Sequence, residues 1–375
     1  MNFKVGGVSD LRLLLTGGGT GGHIYPAISI ARELERRGEL DEVLYIGTEK
    51  GLEKNIVAHA GLPFTVIQAA GLKREISAAA LQTAWITWRG YRESLQVIRR
   101  FKPDVVLGTG GYVTLPVIFA AHRLRKPSVV WEGNAFPGLT NLLCARRADV
   151  VAVAMEETIK KFPRARRVVW TGHPRASEIR QADEAAKEAA RKRYQLRPGY
   201  KHILVFCGSR GAETVNRVVL EMAREFLAGK PNLQMIVVTG EHNFVKMENQ
   251  PDNLLLVPFV DDMPALLPQM DVVVTRAGAG TVAEIASLGI PAVFIPSPYV
   301  TANHQEVNAR FLTDRGGGTI LLEKELTSAK LWLAIQSYLK SEPWQRAHEA
   351  LLSCAIPDAV EKLVQVVQET AYSQS

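Results

Sequence analysis

Residues 274–309 read VTRAGAGTVAEIASLGIPAVFIPSPYVTANHQEVNA, and this stretch decides the fold. Residues 271–275 are a short apolar run rich in β-branched side chains, the composition of a buried parallel strand. The run stops at Arg276-Ala-Gly-Ala-Gly. From Thr281 onward, Val282, Ile285, Ala286 and Leu288 recur at helical spacing, and Gly289 with Pro291 ends the helix. A second apolar run, 292–295, predicts the next strand. A glycine-rich turn therefore joins a strand to a helix N-terminus. Such a junction aims backbone N–H groups and partial positive charge at one point, which suits a diphosphate. Glu284, about one turn into the helix, is ill placed for phosphate but well placed to accept hydrogen bonds from a diol such as a ribose. Past the strand, Asn303, His304, Gln305 and Asn308 put amide and imidazole groups into a proline-bounded loop, a composition suited to a sugar. An ordinary strand–helix–strand unit explains the same residues, because glycine turns are common.

The pattern repeats outward in both directions. Strand patterns fall at 11–15, 43–47, 64–69, 105–109, 129–132, 150–154 and 168–171. They return at 203–206, 235–239, 254–258, 272–275, 292–295 and 319–322. Helical patterns lie between most of them, the first from Ala27 to about Arg37. Alternating strands and helices predict parallel sheets covered on both faces. The polar stretch 177–197 breaks the alternation and reads as an exposed helix, and 328–370 is helical. A chain of 375 residues is expected to form two domains. We place them at 1–172 and 173–354, with a C-terminal helix of about 355–375 able to pack back on the first. Glycine loops at 17–22 and 108–111 in the first half, and at 208–211 and 278–280 in the second, follow strand ends. Ligands of open α/β sheets bind there. The simplest arrangement is a cleft between the domains with both sets facing inward.

Composition narrows the chemistry. The net charge of +7 admits nucleic acid, an anionic membrane surface or phosphorylated ligands. Cys144, Cys207 and Cys354 form no CxxC and no even framework, which favours a reducing compartment. No apolar run is long enough to cross a bilayer, and residues 11–15 are too short for a signal-peptide core. GGGTGGH departs from GxGxxG, and GxxxxGK[ST] is missing, so neither a dinucleotide nor a P-loop nucleotide site is expected. With no DxD and no metal-spaced His/Cys cluster, we expect neither metal nor other cofactor. His23 follows Gly21 and Gly22 at a strand-to-helix turn, and an imidazole titrating at about 6.5 suits a general base. Capping the next helix is its other reading. Glu132, in WEGNAFPGLTN (131–141), could orient a base, bind a hydroxyl or cap the helix that follows. Asn134 offers both a donor and an acceptor.

Seven ordered motifs carry a resemblance. They are GGGTGGHIYPA (17–27), GTGGYV (108–113), EGNAFPGLTN (132–141), TGHPRASE (171–178), GSRGA (208–212) followed by Asn216, RAGAGTVAEI (276–285) and SPYVTANHQEVNA (297–309). Across about residues 13–329 the chain resembles the MurG family, N-acetylglucosaminyltransferases of bacterial peptidoglycan synthesis. The resemblance implies an α/β GT-B glycosyltransferase fold, two doubly wound Rossmann-like domains facing across a cleft. It implies inverting transfer of GlcNAc from UDP-GlcNAc to the 4-hydroxyl of MurNAc in undecaprenyl-diphospho-muramyl-pentapeptide (lipid I), giving lipid II. No nucleic acid partner follows from it. By the same resemblance Thr20, Gly21 and Gly22 lie near the UDP-GlcNAc diphosphate, and Asn134 and Ser209 contact the same substrate. Val260 reads the uracil through its backbone. Ala279, Gly280, Thr281, Val282, Ala283 and Glu284 wrap the nucleotide, with Glu284 on the ribose, and Gln305 meets the sugar hydroxyls. His23 is the family's proposed base, and Glu132 is the second catalytic candidate. Three departures stand out. The family's HEQN reads WEGN here, so Trp131 and Gly133 replace a histidine and a glutamine. His173 replaces an asparagine. An arginine that some members place on the sugar nucleotide is Ala176, with Arg175 beside it and left out of the expected site.

A lipid-linked acceptor requires a membrane face, so the N-terminal domain is expected to sit peripherally on the cytoplasmic side of the cell membrane. Leu72, Lys73 and Arg74, then Leu81, Trp85, Trp88, Arg89 and Arg92, fit that need. Leu81, Trp85 and Trp88 share one helical face, tryptophan favours the headgroup level, and the basic residues suit anionic lipid. The competing reading packs this helix on the sheet through Ala84, Trp88, Tyr91, Leu95 and Ile98. Two other functions remain open at this point: a GT-B transferase for a different lipid acceptor, and a non-catalytic UDP-sugar-binding regulator, which would need neither His23 nor Glu132.

Overall fold

The structure, a computed structural model, describes residues 11–71, 78–208, 212–241, 244, 247–300 and 303–373, with side chains omitted for 78–81. The described residues up to Pro174, together with those from Asp358 on, form one compact unit, and Arg175–Pro357 form a second.

The first unit is built on seven parallel strands: β1 (Leu11–Thr16), β2 (Leu40–Gly47), β3 (Phe64–Val66), β4 (Val105–Gly108), β5 (Ser128–Glu132), β6 (Val150–Val153) and β7 (Val168–Trp170). Their order is β3-β2-β1-β4-β5-β6-β7. Helices α1 (Gly21–Arg37), α2 (Leu52–His59), α3 (Ala78–Phe101), α4 (Thr114–Arg123) and α5 (Leu139–Cys144) make the crossovers. After α6 (Arg175–Glu178) and α7 (Glu184–Arg193), the second unit repeats the design. Its strands are β8 (Lys201–Phe206), β9 (Leu233–Val238), β10 (Leu254–Val257), β11 (Val272–Thr275), β12 (Ala292–Phe294) and β13 (Gly318–Ile320), in the order β10-β9-β8-β11-β12-β13. Its helices are α8 (Glu213–Met222), α9 (Met263–Leu266), α10 (Ala279–Leu288), α11 (His304–Thr313), α12 (Ser328–Tyr338) and α13 (Ser341–Ser353).

Both sheets therefore follow the same doubly wound order, and each reverses its direction of growth once, between β1 and β4 and between β8 and β11. The crevice at such a reversal is where these folds bind ligands. All four glycine loops follow one of those four strands. The central strands read as near-continuous apolar runs because both their faces are covered; Leu13, Leu14 and Leu15, like Ile203 and Leu204, are fully buried.

Two helices begin earlier than the apolar spacing suggests. α1 starts at Gly21 rather than Ala27, and Pro26 lies inside it. Thr20 is extended at the N-cap, and Gly21 and Gly22 accept helical dihedrals. Pro26 forfeits only the bond to the Gly22 carbonyl, on an exposed residue that water can serve. α10 likewise starts at Ala279, two residues before Thr281. The polar stretch expected as one helix is two, with Asp183 accepting from Ala186 N–H to cap α7.

The last helix, α14 (Ala359–Tyr372), returns to the first unit. It packs on α1 and on β4, β5 and β6, burying Leu363, Val364 and Val367. Gln368 donates to Glu39 at 3.0 Å, and Arg167 pairs with Glu369 at 3.0 Å. Along α3, Ile98 is buried and Tyr91 and Leu95 pack against the same core. Trp85 and Trp88 are 55% and 51% exposed, so Trp88 does not join that packing. The guanidinium of Arg89 lies over the Trp85 ring at 4.9 Å and that of Arg92 over Trp88 at 5.3 Å. Leu72, Lys73 and Arg74, and the side chain of Leu81, fall outside the described residues. Among the described residues no helix is long and apolar enough to cross a membrane.

Candidate active site

In the first unit, register builds the site. Thr16 at the end of β1 lies opposite Gly108 at the end of β4. Two loops far apart in sequence thereby meet backbone to backbone. Gly18 N–H donates to the Gly110 carbonyl at 3.1 Å and Thr109 N–H to the Thr16 carbonyl at 2.9 Å. Gly111, at φ +82°, has no room for a side chain, since a Cβ there would strike the Gly18 carbonyl.

His23 sits in the first turn of α1, half-buried. Its Nδ1 is 2.9 Å from the Thr109 carbonyl oxygen, and the Thr109 hydroxyl donates to the His23 carbonyl at 2.5 Å. A carbonyl only accepts, so Nδ1 carries the proton, and in the neutral ring the lone pair is on Nε2. Thr20 is the exposed N-cap and makes no side-chain cap bond. The N–H groups of Gly21 and Gly22 occupy the first two helical positions, which have no intrahelical acceptor.

Two residues that carry no sequence signal support this loop. Glu53 on α2 is fully buried and accepts from the Thr48 N–H at 3.0 Å, the Thr48 hydroxyl at 2.6 Å and the Gly19 N–H at 3.3 Å. The Tyr45 hydroxyl donates to the Gly17 carbonyl at 2.8 Å. Burial, reinforced by Glu53, pushes that phenol well above its usual range, so it stays a donor.

Glu132 ends β5 and is 1% exposed. Oε1 accepts from the Asn134 N–H at 2.9 Å and its amide at 3.2 Å. Oε2 accepts from Gly138 N–H at 3.0 Å and the Asn141 amide at 2.9 Å. Four donors thus hold both oxygens, and the carboxylate fastens the 134–138 loop to the start of α5. Oε2 holds the N–H of Gly138, the N-cap of α5, and taking up a proton would disrupt these bonds. Asn134 is half-buried at the top of the loop. The departures from the family pattern form one cluster beside it. Trp131 is fully buried, meets His173 edge-on at 4.9 Å, and donates through Nε1 to the Gly172 carbonyl at 3.3 Å. A Cβ at Gly133 would lie 2.7 Å from the Trp131 ring.

In the second unit, Gly278 is the extended N-cap of α10 and its carbonyl accepts from Val282 N–H at 2.9 Å. The N–H groups of Ala279, Gly280 and Thr281 hold the first three helical positions, where anions bind. Those residues and Ala283 are half-buried, and Val282 is buried. Arg276 fastens the turn from below, donating to the Ile295 carbonyl at 2.9 Å and pairing with Glu323 at 2.7 Å. Asn308 on α11 donates to the Ala277 carbonyl at 3.2 Å. Gln305 accepts from Ser297 N–H at 2.9 Å through Oε1, which turns its amide group into the donor end. Val260 is buried beyond β10. Ser209 lies outside the described residues.

Glu284 is buried, and Arg175, which the sequence reading left out of the expected site, grips it. Arg175 donates from Nε to Oε1 at 2.7 Å, and its Nη2 meets the same oxygen. Arg175 also pairs with Glu178 at 2.9 Å. Burial pushes the Glu284 carboxyl above the usual carboxylate range, Arg175 pulls it back, and Glu178 adds to the rise. The available signal was positional: Arg175 adjoins the place where some relatives of the resembled family carry an arginine.

Residues 13–153 match the glycosyltransferase family 28 N-terminal domain, and residues 202–363 match the C-terminal domain of that family. The chain is 44% identical over 366 residues, covering 96% of this chain and 98% of the relative, to a Bacillus licheniformis protein. That protein is named UDP-N-acetylglucosamine–N-acetylmuramyl-(pentapeptide) pyrophosphoryl-undecaprenol N-acetylglucosamine transferase. The crystal structure of Acinetobacter baumannii MurG superposes with a TM-score of 0.75 at 27% identity, covering 96% of this chain and 99% of that one. A calicheamicin glycosyltransferase shares the fold, with a TM-score of 0.67 at 17% identity over 97% of this chain and 99% of its own.

Proposed function

The chain belongs to glycosyltransferase family 28, and from that membership we infer that it transfers N-acetylglucosamine from UDP-N-acetylglucosamine to lipid I, forming lipid II in peptidoglycan synthesis. The fold is GT-B. The 4-hydroxyl of the muramyl sugar attacks the anomeric carbon opposite the departing UDP, so the configuration inverts. His23 Nε2 accepts the hydroxyl proton. The observation that carries this assignment is the 2.9 Å contact of Nδ1 with the Thr109 carbonyl, which fixes the tautomer a base needs.

The second unit binds UDP-N-acetylglucosamine. First-turn N–H groups of α10 meet the diphosphate, where negative charge grows as the glycosidic bond breaks. Glu284 accepts from the ribose hydroxyls, the backbone at Val260 reads the uracil, and Gln305 donates to the sugar. Thr20, Gly21, Gly22, Asn134 and Ser209 contribute to the same substrate. Glu132 acts indirectly, by holding the loop that carries Asn134. The lipid tail of the acceptor brings the first unit to the cytoplasmic face of the membrane as a peripheral protein, through the exposed Trp85–Trp88 face of α3.

The experiment is UDP release from UDP-N-acetylglucosamine with and without a short-chain lipid I analogue. Release that depends on the analogue is expected. Release only with another glycolipid would reassign the acceptor, and UDP-sugar binding without release under any acceptor would make the protein a sensor rather than a catalyst.

A further inference from the structure

Glu284 is 6% exposed at its side chain, and an isolated carboxylate at such depth is not stable as an anion. Arg175 lies 109 residues earlier in the chain and is the first residue of the second unit. α6 carries it and is pinned from two sides: the Ser287 hydroxyl of α10 donates to the Ala176 carbonyl at 2.7 Å, and the Ser177 hydroxyl donates to the Pro357 carbonyl at 2.7 Å. Both Arg175 contacts with Glu284 converge on Oε1. Neither of these contacts engages the other carboxylate oxygen, Oε2. We propose that Arg175 is the positioning residue for nucleotide recognition: it fixes the buried Glu284 carboxylate as an anion and turns Oε2 toward the ribose diol. This rests on the assignment of Glu284 to the ribose.

The charged groups around Glu284 define the expected pH behaviour. α6 presents Arg175 and, behind it, Glu178, whose charge opposes ionisation of Glu284. From α13, His348 Nδ1 contacts the Gly289 carbonyl at the far end of α10. α11 carries His304, Glu306 and Arg310, with Glu306 already paired to Arg310 at 2.8 Å and accepting from Asn303 at 2.6 Å. Arg175 is therefore the cation that contacts the carboxylate. Without it, burial and Glu178 both favour the protonated acid. A protonated Glu284 loses one of its acceptor sites for the diol, and raising the pH restores the anion.

The test compares binding of UDP and 2′-deoxy-UDP by calorimetry between pH 6 and 9. The two nucleotides share their phosphates, so their affinity ratio reports the ribose contact alone. The native protein should prefer UDP by roughly 10–100-fold, the range for one hydrogen bond to a charged group, with little change across that span. Arg175→Met should lose the preference at pH 6 and regain it as pH rises. Arg175→Lys, which keeps the charge and guards against a merely misfolded methionine variant, should retain it throughout. An equal loss for both nucleotides at every pH would overturn the proposal, as would an unchanged preference in the methionine variant. Glu284→Ala separates the premise from the inference. If Glu284→Ala keeps the preference, the ribose assignment itself is wrong. If it abolishes the preference while Arg175→Met leaves it intact, only the role of Arg175 is wrong.

Discussion

At the scale of single residues, the site depends on which atom each polar group leaves for the ligand. Thr109 occupies His23 Nδ1 with a carbonyl, which puts the lone pair of the neutral ring on Nε2, the atom we propose as the base. General-base catalysis is worth about 10²–10⁴-fold. His23→Ala should lower kcat by that order while UDP affinity, measured by calorimetry, changes little; an alanine variant with full turnover would move the proton to another group. The sequence marked His23 because glycines and a histidine at a strand–helix turn form a local pattern. It could not mark the Thr109 carbonyl, Tyr45 or Glu53. Their roles arise from strand register and from one helix lying under a loop, which are contacts between distant segments with no periodicity of their own.

At the scale of elements, Trp131, Gly133 and His173 behave as one substitution spread over three positions. The large ring fills the space a side chain at 133 would need, and it packs perpendicular to His173. Gly133→Gln alone should overpack this corner and destabilise the protein by about 1–3 kcal/mol. Combined with Trp131→His it should cost clearly less than the sum of the two single changes, because neighbouring residues couple. Chemical denaturation of the two single variants and the double variant checks this, and strict additivity would show that the two positions do not share their space. Every strand among the described residues was anticipated, the central ones because buried parallel strands announce themselves as apolar runs. Helix starts were less so. Gly21, Gly22, Ala279 and Gly280 contribute no apolar repeat, so the first turns of α1 and α10 looked like loop, although their N–H groups are the ones proposed to meet the diphosphate.

At the scale of the whole molecule, the two sheets share one order over six strands, with glycine loops after the strands that flank each reversal point. The alternation of strands and helices announced two doubly wound halves, and the strand order itself came only with the structure. The face proposed to meet the membrane was half legible. Spacing put Trp85 and Trp88 near one face of α3 but could not say which face the sheet covers, and the exposure of both rings decides that. Reversing Lys73, Arg74, Arg89 and Arg92 to glutamate should release the protein from anionic vesicles in co-sedimentation, since each basic residue near such a surface contributes about 1 kcal/mol. Added salt should release the native protein too. A folded reversed variant that sediments as well as the native protein would place the membrane contact elsewhere. The return of α14 to the first unit has a consequence for synthesis. The side of the first unit formed by α1 and strands β4 to β6 stays uncovered until the last helix emerges, after residues 175–357 have been translated. At about 5–20 residues per second, the half made first waits roughly 10–40 s for its final piece. The second unit, born later, already has its whole chain by then. A chain released at position 357 would therefore carry a complete second unit and an unfinished first one, and it is the older half that would need a chaperone.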